Sequence, residues 1–320
     1  MRISRENLIP LLACPTCKTV LGSNGTSLVC CNPECRRFER ACSKADGKDV
    51  LVDFENSILS EKEVLGSRAA SPVERSTVTG IRNTFRRALL GDNRISSENE
   101  LKLITLLRRV EWQPICLVIG GGTIGSGMAE LYSSTDVSVI AFDVYQSPHV
   151  DFLADVHNIP LESESVDSVW IQAVLEHVLS PEQAVREIWR ILKPGGIVYA
   201  ETPFMQQVHE KAYDFTRFTH SGHRWLFRNF EEIDSGAVGG VGTQNLWNIE
   251  HFMRCAFRSA AIGKLAKLSF FWLRFLDALM SKEATLDAAP GFYFLGRKVD
   301  YSLAPNEMVA FYLKSRRRDK

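Results

Sequence analysis

The chain has no excess of either charge: its 320 residues hold 38 Lys+Arg against 38 Asp+Glu. Proteins that track long stretches of nucleic acid present a basic surface, so this balance counts against an extended RNA or DNA partner and leaves only a local patch open. A long uninterrupted apolar run is also missing. Leu268 to Met280 is broken by Arg274 and Asp277, and Leu8 to Ala13 is short and contains Pro10, so neither a membrane span nor a secretory signal is expected. There is no distributed disulfide framework either, because most of the eight cysteines crowd near the start. A reducing, cytoplasmic setting is the expectation. What remains is an ordinary globular composition, 45% hydrophobic and 24% charged, long enough for a full core and more than one unit.

The organising stretch runs from Ile115 to Asp143. An apolar strand (Ile115 to Ile119) leads into Gly120-Gly121-Gly122-Thr123-Ile124-Gly125, then a helix through Met128 to Tyr132, a second strand (Val137 to Phe142) and Asp143. Strand, glycine turn, helix, strand and acid form a unit that holds an adenosine-containing ligand. Glycines admit close approach of the backbone, the helix start offers free N–H groups, and an acid about 20 residues on accepts from ribose hydroxyls. The six residues alone spell G-x-G-x-x-G, so a nicotinamide or flavin domain fits them equally well.

Ahead of this stretch, Cys14-x2-Cys17 and Cys30 to Cys35 flank two short strands that turn around Asn24-Gly25. Two cysteine pairs at the ends of a hairpin make a tetrahedral thiolate site that suits zinc, and four thiolates leave the metal no open position, so its role is structural. Cys31 adjoins Cys30, and the residues alone leave open which of the two binds. Cys42, Cys116 and Cys255 read as ordinary thiols. The stretch resembles the zinc-ribbon (Trm112-like) modules that accompany some methyltransferases, with C-P-x-C, a second pair in the pattern C-x-N-P-x-C, and the apolar ending Asp46-Gly47-Lys48-Asp49-Val50-Leu51-Val52. That pattern favours Cys30. From about 54 to 97 the composition turns polar, which predicts a linker with a short basic helix near 84–90 carrying Arg86 and Arg87, with Arg82 just before it.

Downstream come Asp155-Val156, a strand over 168–173 preceded by Asp167, Leu175-Glu176-His177-Val178, a helix over 181–192 started by Ser180 and Pro181, Leu192-Lys193-Pro194-Gly195-Gly196 and another strand over 197–200. In that order these resemble the class I S-adenosylmethionine-dependent methyltransferases, most nearly the broad type 11 group, over about residues 101–297. The resemblance implies an α/β fold with a doubly wound, mostly parallel seven-stranded Rossmann-like sheet. It divides the chain into a zinc ribbon (1–53), a linker (54–97), a methyltransferase domain (98–300) and a C-terminal tail (301–320), whose end, 315–320, is expected to fray. It implies S-adenosylmethionine as cofactor, with Gly120, Gly122 and Gly125 around its methionine and ribose, Asp143 on the ribose, Asp155 and Val156 on the adenine, and Gln172 with Ala173 at the methionine end. The acid that such enzymes commonly carry two residues before the first glycine is replaced here by Val118.

Residues 201–230 are dense in titratable and aromatic groups: His209, Tyr213, Asp214, Arg217, Phe218, His220 and His223. Methyl transfer to a hydroxyl needs a proton acceptor, for which His209 stands first and Asp214 and His177 next. The expected acceptor is a small molecule or glycan, methylated at oxygen. An RNA methyltransferase with a zinc docking module is the first alternative, to be revived by a basic face of Arg36, Arg37, Arg40 and Arg86. An inactive adaptor of the same fold is the second. Residues 262–280 form an amphipathic stretch expected to pack on the sheet or in a homodimer, with peripheral membrane contact as the rival account. Gly291 to Lys298 reads as the last strand.

Overall fold

In the apolar runs of this chain, neighbouring residues part to opposite sides of one sheet. Along β5 (Ile115–Ile119), Leu117 and Ile119 enter one apolar cluster while Cys116 and Val118 enter another. β6 (Ser138–Asp143), β8 (Val166–Gln172) and β9 (Leu192–Pro203) alternate in the same way, so the sheet is covered on both faces. The helix Pro181–Ile191 closes one face with Ala184, Val185, Ile188 and Ile191. The helix Arg94–Leu107 closes the other with Leu103, Ile104 and Leu107. This computed structural model describes residues 1–66 and 94–315.

With β1 (Leu21–Asn24), β2 (Ser27–Cys30), β3 (Ser43–Ala45), β4 (Lys48–Leu51), β7 (Phe152–Ala154), β10 (Phe230–Ala237) and β11 (Gly291–Lys298), the strands form a hairpin, β1-β2, and a nine-stranded sheet of order β10-β11-β9-β8-β5-β6-β7-β4-β3. From β9 to β7 neighbours run parallel, and β11 runs antiparallel to both β9 and β10. The seven strands from β10 to β7 are the doubly wound sheet expected. The other two come from the N-terminal segment: β4 pairs parallel to β7 through Val50 and Leu153, and β3 pairs antiparallel to β4.

That pairing corrects the picture of a ribbon set apart at residue 53. Leu21, Leu28, Cys14 and Cys30 also belong to the cluster beneath the main sheet, and Ala13 N–H donates to Pro160 O at 2.9 Å. A small hairpin has little core of its own, so it borrows the sheet's. The linker begins with a 3₁₀ turn (Phe54–Asn56) and a short helix (Glu61–Leu65), whereas the basic helix with Arg82, Arg86 and Arg87 lies outside the described residues. In the C-terminal tail Glu307–Ser315 is helical, with Phe311 and His220 ring centroids 4.9 Å apart, and the end expected to fray lies, but for Ser315, outside the described residues.

Residues 262–280 divide into the end of one helix (Ala260–Ser269) and a 3₁₀ segment (Phe271–Leu279), both beside the helix Val241–Ala256. Asp277, one of the charges that interrupt the apolar run, is a cap: its carboxylate accepts from Gly242 N–H (2.6 Å), Thr243 N–H (3.2 Å) and Thr243 Oγ1 (2.6 Å). Leu265, Trp272, Phe275 and Leu279 are exposed, and Phe275 borders the cleft at the sheet's carboxyl end. No helix among the described residues is long and apolar enough to cross a membrane.

Candidate active site

The chain leaves β5 toward β6 on one side, and β8 lies on the other, so the sheet has its switch point at the carboxyl end of β5. A cleft of about 1150 Å³ opens there, lined by Gly120, Gly125, Gln172, Glu176, Glu201 and Arg274 among others. Its glycine turn is fixed by the chain's own geometry. Gly120 has φ +75°, a left-handed conformation, and a Cβ there would fall on Val174 Cγ2. Gly120 and Gly121 N–H both donate to Phe142 O, at 3.1 and 3.0 Å. Gly122 N–H donates to Asp143 Oδ2 at 2.8 Å, and Val144 N–H to Asp143 Oδ1 at 2.7 Å. The acid at the end of β6 thus ties the turn to the sheet.

Of the residues expected at the cofactor, Gly120, Gly125 and Gln172 line the cleft, and Gly122 and Asp143 brace the turn that borders it. Asp155 and Val156 are buried and absent from the cleft wall. Asp155 Oδ1 accepts from His157 N–H (2.9 Å) and meets His157 Nδ1 (2.6 Å), while Oδ2 accepts from Ser57 Oγ. Burial works to raise this carboxyl, but the bonds from His157 and Ser57 outweigh it and hold it below the usual range. The adenine contact expected of Asp155 therefore competes with Ser57, which comes from the linker.

The floor of the cleft holds a group that sequence reasoning missed. Glu201, near the end of β9, accepts from Ser96 Oγ, from Tyr199 Oη and from Gln172 Nε2 (3.0 Å), and Gln172 Nε2 also donates to Ser96 Oγ (3.1 Å). Burial, and next the Glu201 charge, push the Tyr199 hydroxyl far above its ordinary pKa, so it stays a donor. The available signal was position: an acid just after an apolar run that ends at the ligand side of the sheet. Ser96 gave none, because it lies in the stretch read as linker.

A second cluster sits where the 3₁₀ turn Leu175–His177 meets residues 209–217. Phe215 and Thr216 N–H donate to Glu176 O (2.8 and 3.2 Å) and clamp the two segments together. His177 Nε2 lies 3.1 Å from His209 Nε2, and Glu176 Oε1 lies 3.6 and 3.7 Å from those two atoms. Glu176 is fully buried, neither of its carboxyl oxygens has a hydrogen-bond partner, and burial pushes it up to about 8. Burial also lowers the His177 pKa. Asp214 is bound by both Arg217 Nη atoms (2.7 Å through Nη2) and by His209 N–H (3.0 Å); burial works to raise it, and these bonds prevail and hold it low. So His177 and His209 meet beside Glu176, which lines the cleft although neither histidine does, whereas Asp214 is held in an ion pair and orients His209. His220 and His223 are buried core residues among Phe292, Phe227 and Phe294, and burial drives the His223 pKa down to about 3.

In the N-terminal hairpin, the Sγ atoms of Cys14, Cys17, Cys30 and Cys35 all lie within 4.8 Å of one another, with Cys17–Cys30 at 3.5 Å and Cys14–Cys35 at 3.9 Å. Zinc–thiolate bonds of about 2.3 Å put tetrahedral sulfurs roughly 3.8 Å apart, so the four fit that metal. Cys31 is exposed and outside the group. The basic face that would favour RNA is largely neutralised. Arg36 pairs with Asp53 and Glu55, Arg37 donates to Val52 O (2.7 Å), and Arg86 lies outside the described residues.

Residues 124–200 match the profile of a family described as "Methyltransferase domain". Over 144 residues the chain is 24% identical to malonyl-[acyl-carrier protein] O-methyltransferase of Enterobacter lignolyticus, covering 42% of this chain and 57% of that one. Over 96 residues it is 34% identical to demethylmenaquinone methyltransferase of Paenarthrobacter aurescens, covering 27% and 36%. The chain thus spans less than two thirds of the length of these curated relatives. The structure of phosphoethanolamine N-methyltransferase 2 of Haemonchus contortus with S-adenosyl-L-methionine aligns at a TM-score of 0.42 and 17% identity, covering 69% of this chain and 60% of that one. The profile match runs from the end of the glycine turn through β6, β7 and β8 into β9, and the seven-strand order around it is the class I methyltransferase fold.

Proposed function

We propose that the chain transfers a methyl group from S-adenosylmethionine to a hydroxyl oxygen of a small-molecule or glycan acceptor. The observation that carries this reading is the glycine turn, tied to Asp143 and opening on a cleft whose floor is the Gln172–Glu201 pair. When bound, the cofactor supplies an activated methyl carbon, already next to a sulfonium charge. The protein's task is then alignment and exclusion of water. The backbone at Gly120 and Gly125 admits the methionine part. Asp143 fixes the turn through Gly122 and Val144 N–H, and in this reading its carboxylate also meets the ribose hydroxyls. Glu201 supplies at the floor the negative charge that Val118 does not, facing the sulfonium side.

The acceptor enters from the side of Glu176 and Arg274, both on the cleft wall. Its proton leaves at the Glu176–His177–His209 cluster, where His209, held by Asp214 and part-exposed, is the group best placed to take it. Cys14, Cys17, Cys30 and Cys35 hold a structural Zn²⁺. Incubation with S-adenosylmethionine and separate pools of hydroxylated metabolites, oligosaccharides and tRNA or rRNA, reading S-adenosylhomocysteine release, tests the acceptor class. Release with the first or second pool, reduced about 10²–10⁴-fold in His209→Ala, is the expected outcome. Release with RNA alone would overturn the acceptor assignment.

A further inference from the structure

We infer that Glu176, His177 and His209 form a binding site for a divalent transition-metal cation at the acceptor edge of the cleft, separate from the four cysteines. The argument is one of donors and acceptors. His177 Nδ1 lies 2.7 Å from Tyr213 O, which can only accept, so that nitrogen carries the ring proton. His209 Nδ1 faces Gln207 O at 3.3 Å and Asp214 Oδ2 at 3.4 Å, again acceptors alone. A neutral ring in either place therefore keeps its lone pair on Nε2. Those two lone pairs meet at 3.1 Å and face Glu176 Oε1, whose carboxyl is fully buried with neither oxygen hydrogen-bonded. Three possible ligand atoms converge, and a proton on Glu176, which its burial favours, would lie too far from either ring nitrogen, at 3.6 and 3.7 Å, to make a hydrogen bond. A cation between them satisfies all three.

The spacing fits. Metal–nitrogen bonds of about 2.1 Å place neighbouring ligand atoms roughly 3.0 Å apart at an octahedral angle and about 3.4 Å apart at a tetrahedral one. The observed edges are 3.1, 3.6 and 3.7 Å. Each ring's second nitrogen faces a carbonyl or carboxylate, as in metal sites, where outer partners fix the tautomer and the ring. Arg217, the nearby positive group, is neutralised by its paired contacts with Asp214. Two imidazoles and one carboxylate leave coordination positions open and suit Mn²⁺, Co²⁺ or Zn²⁺ better than Mg²⁺, which prefers oxygen. The cation's use rests on the methyl-transfer reading: with it bound, His177 and His209 would hold the ion, and an acceptor hydroxyl on an open position would pass its proton to solvent water, in place of the direct transfer to His209 in the metal-free cluster. The binding itself does not depend on that reading.

The test is metal content and visible absorption of the full, zinc-loaded chain after equilibration with Co²⁺ and desalting, with S-adenosylmethionine binding measured on the same samples. The expected result is two metal equivalents in the wild type, the second giving weak cobalt bands with no thiolate charge-transfer band. In His209→Ala and in Glu176→Gln the second equivalent is lost, with affinity down at least tenfold, while one zinc remains. His209 is part-exposed, so its truncation leaves the fold intact. One equivalent in the wild type, or an unchanged second equivalent in both variants, would overturn the site. Cobalt binding without methyl-donor binding would sink the methyl-transfer reading and leave the cation site standing, and the reverse pattern would do the opposite.

Discussion

At the scale of single residues, carboxyl groups around the cleft differ by what each one touches. Asp143 accepts from two backbone N–H groups, Asp214 is pinned by Arg217, Glu201 gathers three side-chain donors, and Glu176 has none. Chemistry follows from those partners more than from the residue type. If Glu201 faces the sulfonium, Glu201→Gln keeps the shape and removes the charge. Calorimetry should then show S-adenosylmethionine affinity lowered about tenfold, about 1.4 kcal/mol, with the fold unchanged by circular dichroism. Glu100 allows a pH prediction. It is buried and accepts from Leu131 N–H, yet burial raises its pKa to about 7. A carboxyl raised on folding favours the folded state while protonated, so its contribution is complete below the ordinary carboxylate range and is lost as pH rises through 7. Glu100→Gln keeps the acceptor without the charge. Its melting temperature should match the wild type near pH 4 and exceed it by a few degrees at pH 8; a constant difference across that range would contradict the assignment.

At the scale of elements, local patterns were readable and long-range partners were not. Ile115–Ile119 and Gly291–Lys298 announce themselves as apolar runs bounded by breakers, and both strands have those bounds. The four cysteines were readable because pairs flanking an Asn-Gly turn have few other uses. The helix Arg94–Leu107 starts inside the stretch read as linker, because its first turns bury Ser96, Asn99 and Glu100 instead of apolar side chains, and Ser96 and Glu100 face polar partners that only the fold brings near. Ser57 meets Asp155 across 98 residues, which no local pattern encodes. Likewise His177 and His209 were picked out singly by residue type, but their meeting depends on the clamp of Phe215 and Thr216 on Glu176. The glycine turn makes its own prediction. Gly120→Ala places a methyl on Val174 in a left-handed conformation, so denaturant unfolding should show a loss of about 1–3 kcal/mol, partly recovered by Val174→Ala. Wild-type stability in Gly120→Ala would contradict that geometry.

At the scale of the whole molecule, the N-terminal segment is a part of the sheet rather than an attached module. β3 and β4 extend it, and the cysteine hairpin shares its core. Zinc loss should therefore lower one cooperative melting transition of the entire chain rather than abolish a small separate one. Calorimetric scans of Cys14→Ser or chelator-treated protein would show which, and an unshifted main transition would contradict a shared core. The same layout sets the linker's Ser57 on Asp155, the residue that the resemblance assigns to the adenine. The central claim is that this cleft holds a methyl donor. It is tested most directly by titrating the purified chain in a calorimeter with S-adenosylmethionine and, separately, with NADH, then repeating both with Asp143→Ala. The account predicts micromolar binding of S-adenosylmethionine alone, lost in the variant. Binding of NADH in its place, or of neither ligand, would contradict it.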